Sequence, residues 1–404
     1  MTRSAVVFCM QGMGHLQCLL PVVDELRRRD FAVHVMTAAE FRPAVEHAGG
    51  ILVDLFAKYP LEAADATSLP VPSRNVTFAG VYAEPITEEV AALAPDLIVH
   101  DTFAVIGGVV ARRLGVPHAT VTPHHALVPA RALAALQRDP RVKTSRECLA
   151  AVRRLREVHG LARANPFSYV EELSPHLNLY CEPREFLDEA DRAAFEPLAF
   201  FGALAPGLRE GASPPLFRNR ARTRIYVSFG TVIWWYFEAL ALAALRAIAA
   251  DSAALDADVV ISIAGHALAA STRAEIERKN VRIVDYADQW QALREADVFV
   301  THHGINSTHE AIYHQVPMLS YPFIGDQPLL ARRCQQLGLA LPLSPEFRGP
   351  IAPGALAVAL RQLAQERESV AARLAEARSW ELRTLAERPA AVERLVRLAD
   401  NRRP

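Results

Sequence analysis

Residues 297–327 have the sequence Asp-Val-Phe-Val-Thr-His-His-Gly-Ile-Asn-Ser-Thr-His-Glu-Ala-Ile-Tyr-His-Gln-Val-Pro-Met-Leu-Ser-Tyr-Pro-Phe-Ile-Gly-Asp-Gln. The apolar run at 298–300 predicts a buried parallel strand. A polar turn and a helix follow, and 316–320 predicts the next strand. A strand, a turn and a helix in this order present unpaired backbone N–H groups at the helix start. These groups and the helix dipole favour the binding of a phosphate.

Polar side chains are concentrated in this turn and in the helix after it. Ser307 and Glu310 have the Ser-x-x-Glu spacing of a capping box, so they could simply begin the helix. Capping explains neither the neighbouring polar residues nor an Asp-Gln pair that starts sixteen residues past the glutamate. These further residues are His302, Gly304, Asn306, Asp326 and Gln327. The whole pattern therefore favours a binding site over capping alone.

This stretch resembles the donor-binding signature of family 1 glycosyltransferases, enzymes that move sugars from nucleotide diphosphates to small molecules. Their motif is His-Cys-Gly-Trp-Asn-Ser-Thr-x-Glu followed by Asp-Gln, and here His303 replaces Cys and Ile305 replaces Trp. The resemblance covers essentially the entire chain. It implies the α/β GT-B fold, in which two Rossmann-like doubly wound domains face a cleft.

Bulk composition restricts the class of protein. With 404 residues and 51% hydrophobic content, the chain fits two domains of roughly 200 residues each. A net charge of −1 argues against a nucleic-acid partner. Five cysteines without paired spacing fit a reducing cytosol, and no apolar run approaches the ~20 residues of a membrane span. We therefore expect a cytoplasmic enzyme without a membrane span, as a monomer or homodimer.

The order of elements predicts the domain organisation. Strands and helices alternate in both halves, which predicts parallel sheets with right-handed crossovers. Gln17 stands where the third glycine of a dinucleotide fingerprint belongs, so a nicotinamide cofactor is not favoured. The expected parts are an acceptor-binding domain at 1–202, a Pro- and Gly-rich linker at 203–222, a nucleotide-sugar domain at 223–380, and a C-terminal helix at 381–404. The resemblance implies that this helix crosses back to the first domain.

Two residues of the first half are candidate catalytic residues. His15 follows the first predicted strand at its C-terminal exit, where open α/β sheets place ligands, although a histidine at a helix start can also be structural. Asp101 ends a later strand, so it could orient an imidazole that acts as a base, or cap the helix that follows. The resemblance favours a catalytic dyad, because family members carry a histidine and an aspartate at these points. Cys18 stands where the family usually has proline.

The resemblance also assigns donor-binding residues in the second half. Val-Ser-Phe-Gly-Thr at 227–231 is similar to the second-domain opening of the family, whose loop approaches the diphosphate, and it implies contacts from Ser228, Gly230 and Thr231. Tyr286 would stack on the base and Gln289 would bind the base or ribose. The remaining implied contacts are His302 and Ser307 at the diphosphate, Glu310 at the ribose, Asp326 and Gln327 at the sugar, and Gly304 and Asn306 as further donor-binding residues.

The sequence gives weaker evidence for acceptor-binding residues than for donor-binding residues. His124 and His125 follow a predicted strand and could line the acceptor pocket or bind a metal, but two adjacent histidines without further ligands make a poor metal site. Trp234, in a Trp-Trp-Tyr cluster, either belongs to the core or lines the cleft. The expected partners are a nucleotide sugar and a small, lipophilic natural product.

The last predictions from the sequence concern the reaction type and the nucleotide-sugar donor. The resemblance implies an inverting glycosyltransferase without a cofactor, and no Asp-x-Asp motif lies beside the donor signature, so we expect no required metal. Glu310 and Asp326 favour a UDP-hexose. A dTDP-deoxysugar of antibiotic biosynthesis stays open, because His302-His303-Gly304 is similar to bacterial relatives that use such donors. A sugar-nucleotide epimerase or hydrolase on the same fold, and a non-catalytic sugar-nucleotide-binding protein, also stay open.

Overall fold

Short apolar runs alternate with helices along the chain, and most of these runs form buried parallel strands. The computed structural model describes residues 3–125, 128–171, 173–208, 214–219 and 222–401. The chain divides into two units, Met1–Leu208 with Thr384–Pro404, and Arg209–Arg383. Of the predicted linker, residues 209–213 and 220–221 lie outside the described residues.

The first unit contains a seven-stranded sheet among its described residues. Its strands are β1 Arg3–Phe8, β2 Phe31–Thr37, β3 Ile51–Asp54, β4 Leu97–Asp101, β5 His118–Thr122, β6 Leu177–Tyr180 and β7 Leu198–Phe200. They pair in parallel in the order β3-β2-β1-β4-β5-β6-β7. The helices are α1 Met13–Arg27, α2 Arg42–His47, α3 Ser73–Ala92, α4 Val105–Leu114, α5 Pro129–Arg138 and α6 Arg146–Glu157. The strand order reverses between β1 and β4, where doubly wound sheets bind ligands.

Helix α3 corrects one expectation from the sequence, which predicts loop or irregular helix over 61–85. Its apolar residues face the core at helical spacing, including Val76, Ala83 and Val90, which are fully buried. Gly80 lies against α6, and a Cβ there would come within 2.6 Å of the Ala151 backbone oxygen. Close packing of the two helices therefore requires glycine at this position.

The second unit contains a six-stranded sheet within the part of the chain that the structure describes. Its strands are β8 Thr223–Ser228, β9 Ala257–Ser262, β10 Val281–Val284, β11 Val298–Thr301, β12 Met318–Ser320 and β13 Ala340–Pro342. They pair in parallel in the order β10-β9-β8-β11-β12-β13, so the order reverses between β8 and β11. The helices after residue 208 are α7 Ile233–Tyr236, α8 Glu238–Ser252, α9 Ala270–Ile276, α10 Gln289–Glu295, α11 Ile305–Tyr313, α12 Gln327–Gln336, α13 Ala355–Gln365 and α14 Arg367–Asp400.

The last helix supplies buried polar contacts to each unit. In the second unit, Glu381 of α14 accepts from His309 Nδ1 of α11 at 2.5 Å. In the first unit, the Arg388 guanidinium donates to the backbone carbonyls of Phe201, Gly202 and Leu204 at 3.0, 3.2 and 2.6 Å. No described helix combines the length and the apolar character needed to cross a membrane.

Candidate active site

His15 and Asp101 meet at the point where the strand order of the first sheet reverses. His15 lies in the first turn of α1, directly after β1, and Asp101 is the last residue of the neighbouring strand β4. The distance from His15 Nδ1 to Asp101 Oδ1 is 3.4 Å. The Asp101 side chain is completely buried, whereas 22% of the His15 side chain is exposed. The imidazole can therefore reach solvent or a substrate, and the carboxylate behind it cannot.

Asp101 also holds the turn that leads into α4. Its Oδ1 accepts from the backbone N–H groups of Phe103 and Ala104 at 2.6 and 3.0 Å, and its Oδ2 accepts from that of Met10 at 3.2 Å. Burial opposes the charge of Asp101, but the nearby His15 imidazole and these N–H groups outweigh it, so the pKa of the carboxyl lies below its usual value. Asp101 thus stabilises the turn before α4 and faces His15 as a carboxylate.

A line of rings extends from His15 along the same edge of the sheet. The ring centroids of His15 and Phe103 are 4.5 Å apart, and those of Phe103 and His124 are 5.6 Å apart. His124 Nε2 lies 3.1 Å from Thr102 Oγ1. Sequence reasoning missed Phe103, although an aromatic residue two positions after Asp101 is a usable signal.

His125 pairs with a carboxylate that sequence reasoning also missed. Its Nδ1 lies 2.8 Å from Glu182 Oε2, and the Glu182 side chain is fully buried. Glu182 follows β6, the neighbour of β5, and its position at a strand exit was the available signal. Within the described ranges, no group of three or more His, Cys, Asp or Glu side chains is arranged to hold a metal ion. Independence of metal stays a prediction.

The second unit places His302 at the corresponding position of its own sheet. Ser228 and Thr301 are paired at the ends of β8 and β11, and His302 is the next residue. A Cβ on Gly304 would lie 2.5 Å from His302 Nε2, and one on Gly230 would lie 2.7 Å from it. Both distances are shorter than real Cβ contacts, so the two glycines make room for the imidazole.

His302 is a neutral imidazole near neutral pH. Burial lowers its pKa to about 4, although a backbone hydrogen bond with Ser228 acts in the opposite direction. A neutral ring carries one N–H donor and no positive charge. His302 can therefore donate a hydrogen bond to a phosphate oxygen, but it brings no charge of its own before the ligand binds.

Ser307 and Glu310 do not form a capping box, which was the structural alternative for this pair. Helix α11 begins at Ile305, and its N-cap is Gly304, which has extended backbone angles and no side chain to cap the helix. Ser307 lies inside the helix, where Gln289 Nε2 donates to its Oγ at 3.1 Å and to Glu310 Oε2 at 2.7 Å. The structure thus brings three predicted donor residues together as one hydrogen-bonded group.

Other predicted donor residues lie around these two clusters. Tyr286 is 71% exposed, which leaves its ring accessible to a base. The amide oxygen of Gln327 accepts from the backbone N–H groups of Phe323 and Ile324 at 2.9 and 3.1 Å, so Gln327 stabilises the loop that follows β12. The rest are Ser228, whose Oγ accepts from Gly230 N at 3.4 Å, the exposed Thr231, the half-buried Asn306, and Asp326 at the N-cap of α12.

Two aromatic or imidazole side chains near the predicted site are buried and contact protein side chains. Trp234 is only 4% exposed and stacks on His266 with ring centroids 4.9 Å apart, whereas its neighbour Trp235 is 65% exposed. The acceptor role of Trp234 stays a prediction, and Trp235 is the accessible ring of the cluster. His303 is fully buried between Thr308 and Ser320, with its Nδ1 3.2 Å and its Nε2 2.7 Å from their hydroxyl oxygens.

Comparisons with known proteins indicate the kind of protein to which the chain is similar. The sequence profile of the family described as "UDP-glucoronosyl and UDP-glucosyl transferase" matches residues 217–366. The uncharacterised UDP-glucosyltransferase YdhE of Bacillus subtilis (strain 168) is 24% identical over 358 residues, which is 83% of this chain and 84% of that protein. The chain is a glycosyltransferase, and its residues 217–366 belong to this family. The matched range contains every predicted donor-binding residue, whereas His15 and Asp101 lie outside it.

Solved structures show the fold of this glycosyltransferase. The glycotransferase of kitacinnamycin has a TM-score of 0.77 at 23% identity and covers 98% of this chain and 100% of its own. The calicheamicin glycosyltransferase CalG4 has a TM-score of 0.74 at 23% identity, with 100% of each chain covered. The GT-B fold is thereby confirmed, with a parallel Rossmann-like sheet in each unit.

Proposed function

We propose that this glycosyltransferase moves a hexose from a UDP-linked donor to a hydroxyl group of a small, lipophilic natural product, with inversion at the anomeric carbon. The observation that carries the proposal is the partly exposed His15 imidazole, whose Nδ1 faces the buried Asp101 carboxylate at 3.4 Å. A carboxylate at Nδ1 favours the tautomer with its proton there and leaves the lone pair on Nε2. His15 Nε2 is then the base of the reaction.

The bond changes are those of a single displacement. The acceptor oxygen forms a bond to the anomeric carbon as the bond from that carbon to the phosphate oxygen breaks. The acceptor proton moves to His15 Nε2, and the nucleoside diphosphate leaves with the bonding electron pair. A positioned base of this kind contributes roughly 10²- to 10⁴-fold in rate. The Asp101 carboxylate stabilises the imidazolium that forms.

Hydrogen bonds and the dipole of α11 stabilise the negative charge that develops on the leaving nucleoside diphosphate. His302 offers a neutral N–H beside the backbone of Gly230 and Gly304. The first turn of α11 adds backbone N–H groups at its positive end. Donors held in place before the reaction stabilise developing negative charge without reorganisation. On this proposal the transfer proceeds without a divalent cation.

Glu310 supports the choice of UDP as the nucleotide. Its carboxylate is 4% exposed and is held by Gln289, so its orientation is fixed before a ligand arrives. A ribose offers two hydroxyl donors to such a carboxylate, whereas deoxyribose lacks the 2′-hydroxyl and offers one. A deoxythymidine diphosphate donor is the alternative. The names of the two similar structures, which refer to kitacinnamycin and calicheamicin, support a natural-product acceptor.

Calorimetric titration of the protein with UDP and with dTDP, in the presence of a chelator, tests the donor proposal. We expect tighter binding of UDP, and loss of that preference in Glu310→Gln. The matched control is Glu346→Gln, because Glu346 is an exposed glutamate of the same unit. Preference for dTDP would indicate a deoxysugar donor, and binding of neither would contradict the donor site. Turnover of UDP-hexose without any acceptor would indicate a hydrolase instead.

A further inference from the structure

The second unit contains an open cavity at the N-terminal ends of β9 and β10, with a volume of about 370 Å³. Its walls are formed by these two strand ends, by residues 277–280 before β10, and by the segment before β8. Four of its charged side chains are cationic and two are carboxylates, so the lining has a formal net charge of +2. These side chains are Arg218, Asp258, Glu277, Arg278, Lys279 and Arg282.

Both carboxylates of the cavity are held by backbone N–H groups. Asp258 Oδ2 accepts from the backbone N–H groups of Arg218 and Asn219 at 2.7 and 2.9 Å. Glu277 Oε1 accepts from that of Ile283 at 3.1 Å. Within the part of the chain that the structure describes, neither carboxylate forms an ion pair with a cation of the cavity. Their hydrogen bonds stabilise the two segments that form the walls.

The four cations keep hydrogen-bonding capacity for a ligand. The Arg282 guanidinium donates to the backbone carbonyl of Leu216, and Arg278 Nη1 donates to that of Glu277 at 2.8 Å. The other two cations are exposed, and their side chains form no hydrogen bond with any described residue. Each guanidinium has five N–H donors, so most donors of the cavity are not used by the protein.

The positive charge at Arg282 is incompletely compensated by its neighbours. Burial and the nearby Arg218 guanidinium lower the pKa of Arg282, although Asp258 and Glu277 act in the opposite direction. Arg282 Nε is buried and has no hydrogen-bond partner among the described residues. An anion in the cavity would therefore supply a charge that the protein itself does not place there.

The cavity is separate from the predicted donor site. Asp258 lies near the start of β9, whereas Ser262 ends this strand and is aligned with Ser228 at the end of β8. Four residues of a parallel strand span about 13 Å. The cavity and the donor site thus lie at opposite edges of the same sheet, and the proposed sugar transfer uses no residue of the cavity.

We propose that this cavity binds a small phosphate-bearing anion. The planar guanidinium of arginine binds phosphate oxygens in pairs, and lysine adds a mobile charge. The volume lies in the range of small-molecule sites, about 300–1,000 Å³, so the cavity accommodates a phosphate ester as well as free phosphate. The inference is independent of the proposed function, because it concerns neither the donor nor the acceptor.

Calorimetric titration of the full chain with inorganic phosphate and with glucose 6-phosphate tests the proposal. We expect binding that weakens as the NaCl concentration rises, because salt screens exposed charges. Arg282→Gln should lower the affinity by roughly 10- to 150-fold, the range of hydrogen bonds to charged groups. The matched control is Arg361→Gln, at an exposed arginine in α13 of the same unit, and it should bind as the wild type does. Tighter binding of glucose 6-phosphate would identify the occupant as an ester, and tighter binding of phosphate would identify it as the free anion.

Two further variants separate this site from folding and from the donor site. Lys279 is exposed, so Lys279→Gln should leave urea unfolding unchanged and weaken the anion by roughly 1.5- to 5-fold. Gly304→Ala, which alters the surroundings of His302, should leave the anion affinity unchanged. Binding of neither anion, wild-type affinity in both Arg282→Gln and Lys279→Gln, or loss of binding in Gly304→Ala would overturn the proposal.

Discussion

The two sheets place histidines at the same kind of position but give them opposite surroundings. At the reversal point of the first sheet, His15 faces the buried carboxylate of Asp101 at 3.4 Å. At that of the second, His302 lies between Gly230 and Gly304, and no carboxylate pairs with it among the described residues. The first imidazole faces a buried carboxylate, whereas burial lowers the pKa of the second and keeps it neutral.

This difference matches the two tasks that a glycosyl transfer requires. A base must take a proton and hold it, which a neighbouring carboxylate stabilises. A group that receives a diphosphate must offer N–H donors at close range, and glycine allows the backbone to approach. Topology therefore sets where a histidine lies, and its immediate neighbours set what it can do.

Removal of the base should have the largest effect. We expect His15→Gln to lower kcat by roughly 10²- to 10⁴-fold, because the acceptor proton then has no positioned base. Steady-state kinetics with saturating donor measure this, and calorimetry should show unchanged UDP affinity because His15 belongs to the first unit. Asp101→Asn is the companion variant, and it should lower kcat by a similar or smaller factor. A kcat within two-fold of wild type for His15→Gln, about 0.4 kcal/mol, would remove His15 from the mechanism.

Acid should destabilise the second unit through His302. Its pKa is about 4 in the folded protein, against 6.5 as the ordinary value, so the unfolded chain binds the extra proton first as the pH falls. The free energy of unfolding therefore falls as the pH drops from 6.5 to 4, and the loss is complete below 4. At about 1.4 kcal/mol per pKa unit, His302 contributes a loss of about 3 kcal/mol.

Tryptophan fluorescence can follow this unfolding selectively. All four tryptophans, at 234, 235, 290 and 380, belong to the second unit. Urea unfolding monitored by their emission, repeated from pH 7 to pH 4, gives the pH dependence, and His302→Gln should make it less steep. His303 and His314 keep part of the slope, because burial lowers their pKa values to about 3 and about 4. An unchanged slope in His302→Gln would mean that this imidazole is already protonated at neutral pH or is not buried.

Sequence patterns predicted the topology better than the packing of side chains. Apolar runs and turn residues located β8 and β11, because a buried parallel strand has a strong local signal. The strand order, and with it the reversal point, is known only from the structure. The region of helix α3 was predicted only as loop or irregular helix, because prolines, including Pro85 inside the helix, obscure its apolar spacing. The pairing of His125 with Glu182 joins residues 57 apart in the chain, and no local pattern encodes such a contact.

Adding a side-chain carbon at Gly304, beside His302, should weaken nucleotide binding. A Cβ from Gly304→Ala would lie 2.5 Å from His302 Nε2, so the imidazole must move. Overpacking of this kind costs about 1–3 kcal/mol, and we expect UDP affinity to fall by roughly 5- to 150-fold. Gly304 has a negative φ that alanine also adopts, so the effect is steric. Gly207→Ala, where a Cβ meets no atom within 4 Å, is the control. Wild-type affinity in Gly304→Ala would show that the position of His302 does not matter for the nucleotide.

Loss of the ring beside His15 should have the smallest effect. Phe103 contacts the His15 imidazole with centroids 4.5 Å apart, whereas His302 has glycine neighbours in place of a ring. An aromatic pair contributes about 0.5–1.5 kcal/mol beyond its buried area, so Phe103→Leu should lower kcat/KM by roughly 2- to 12-fold. Phe347→Leu, at a side chain that is 53% exposed in the second unit, is the control. If Phe103→Leu leaves kcat/KM unchanged, Asp101 alone orients the base. A loss confined to kcat would instead mean that the ring holds His15 in the geometry needed only when the proton moves.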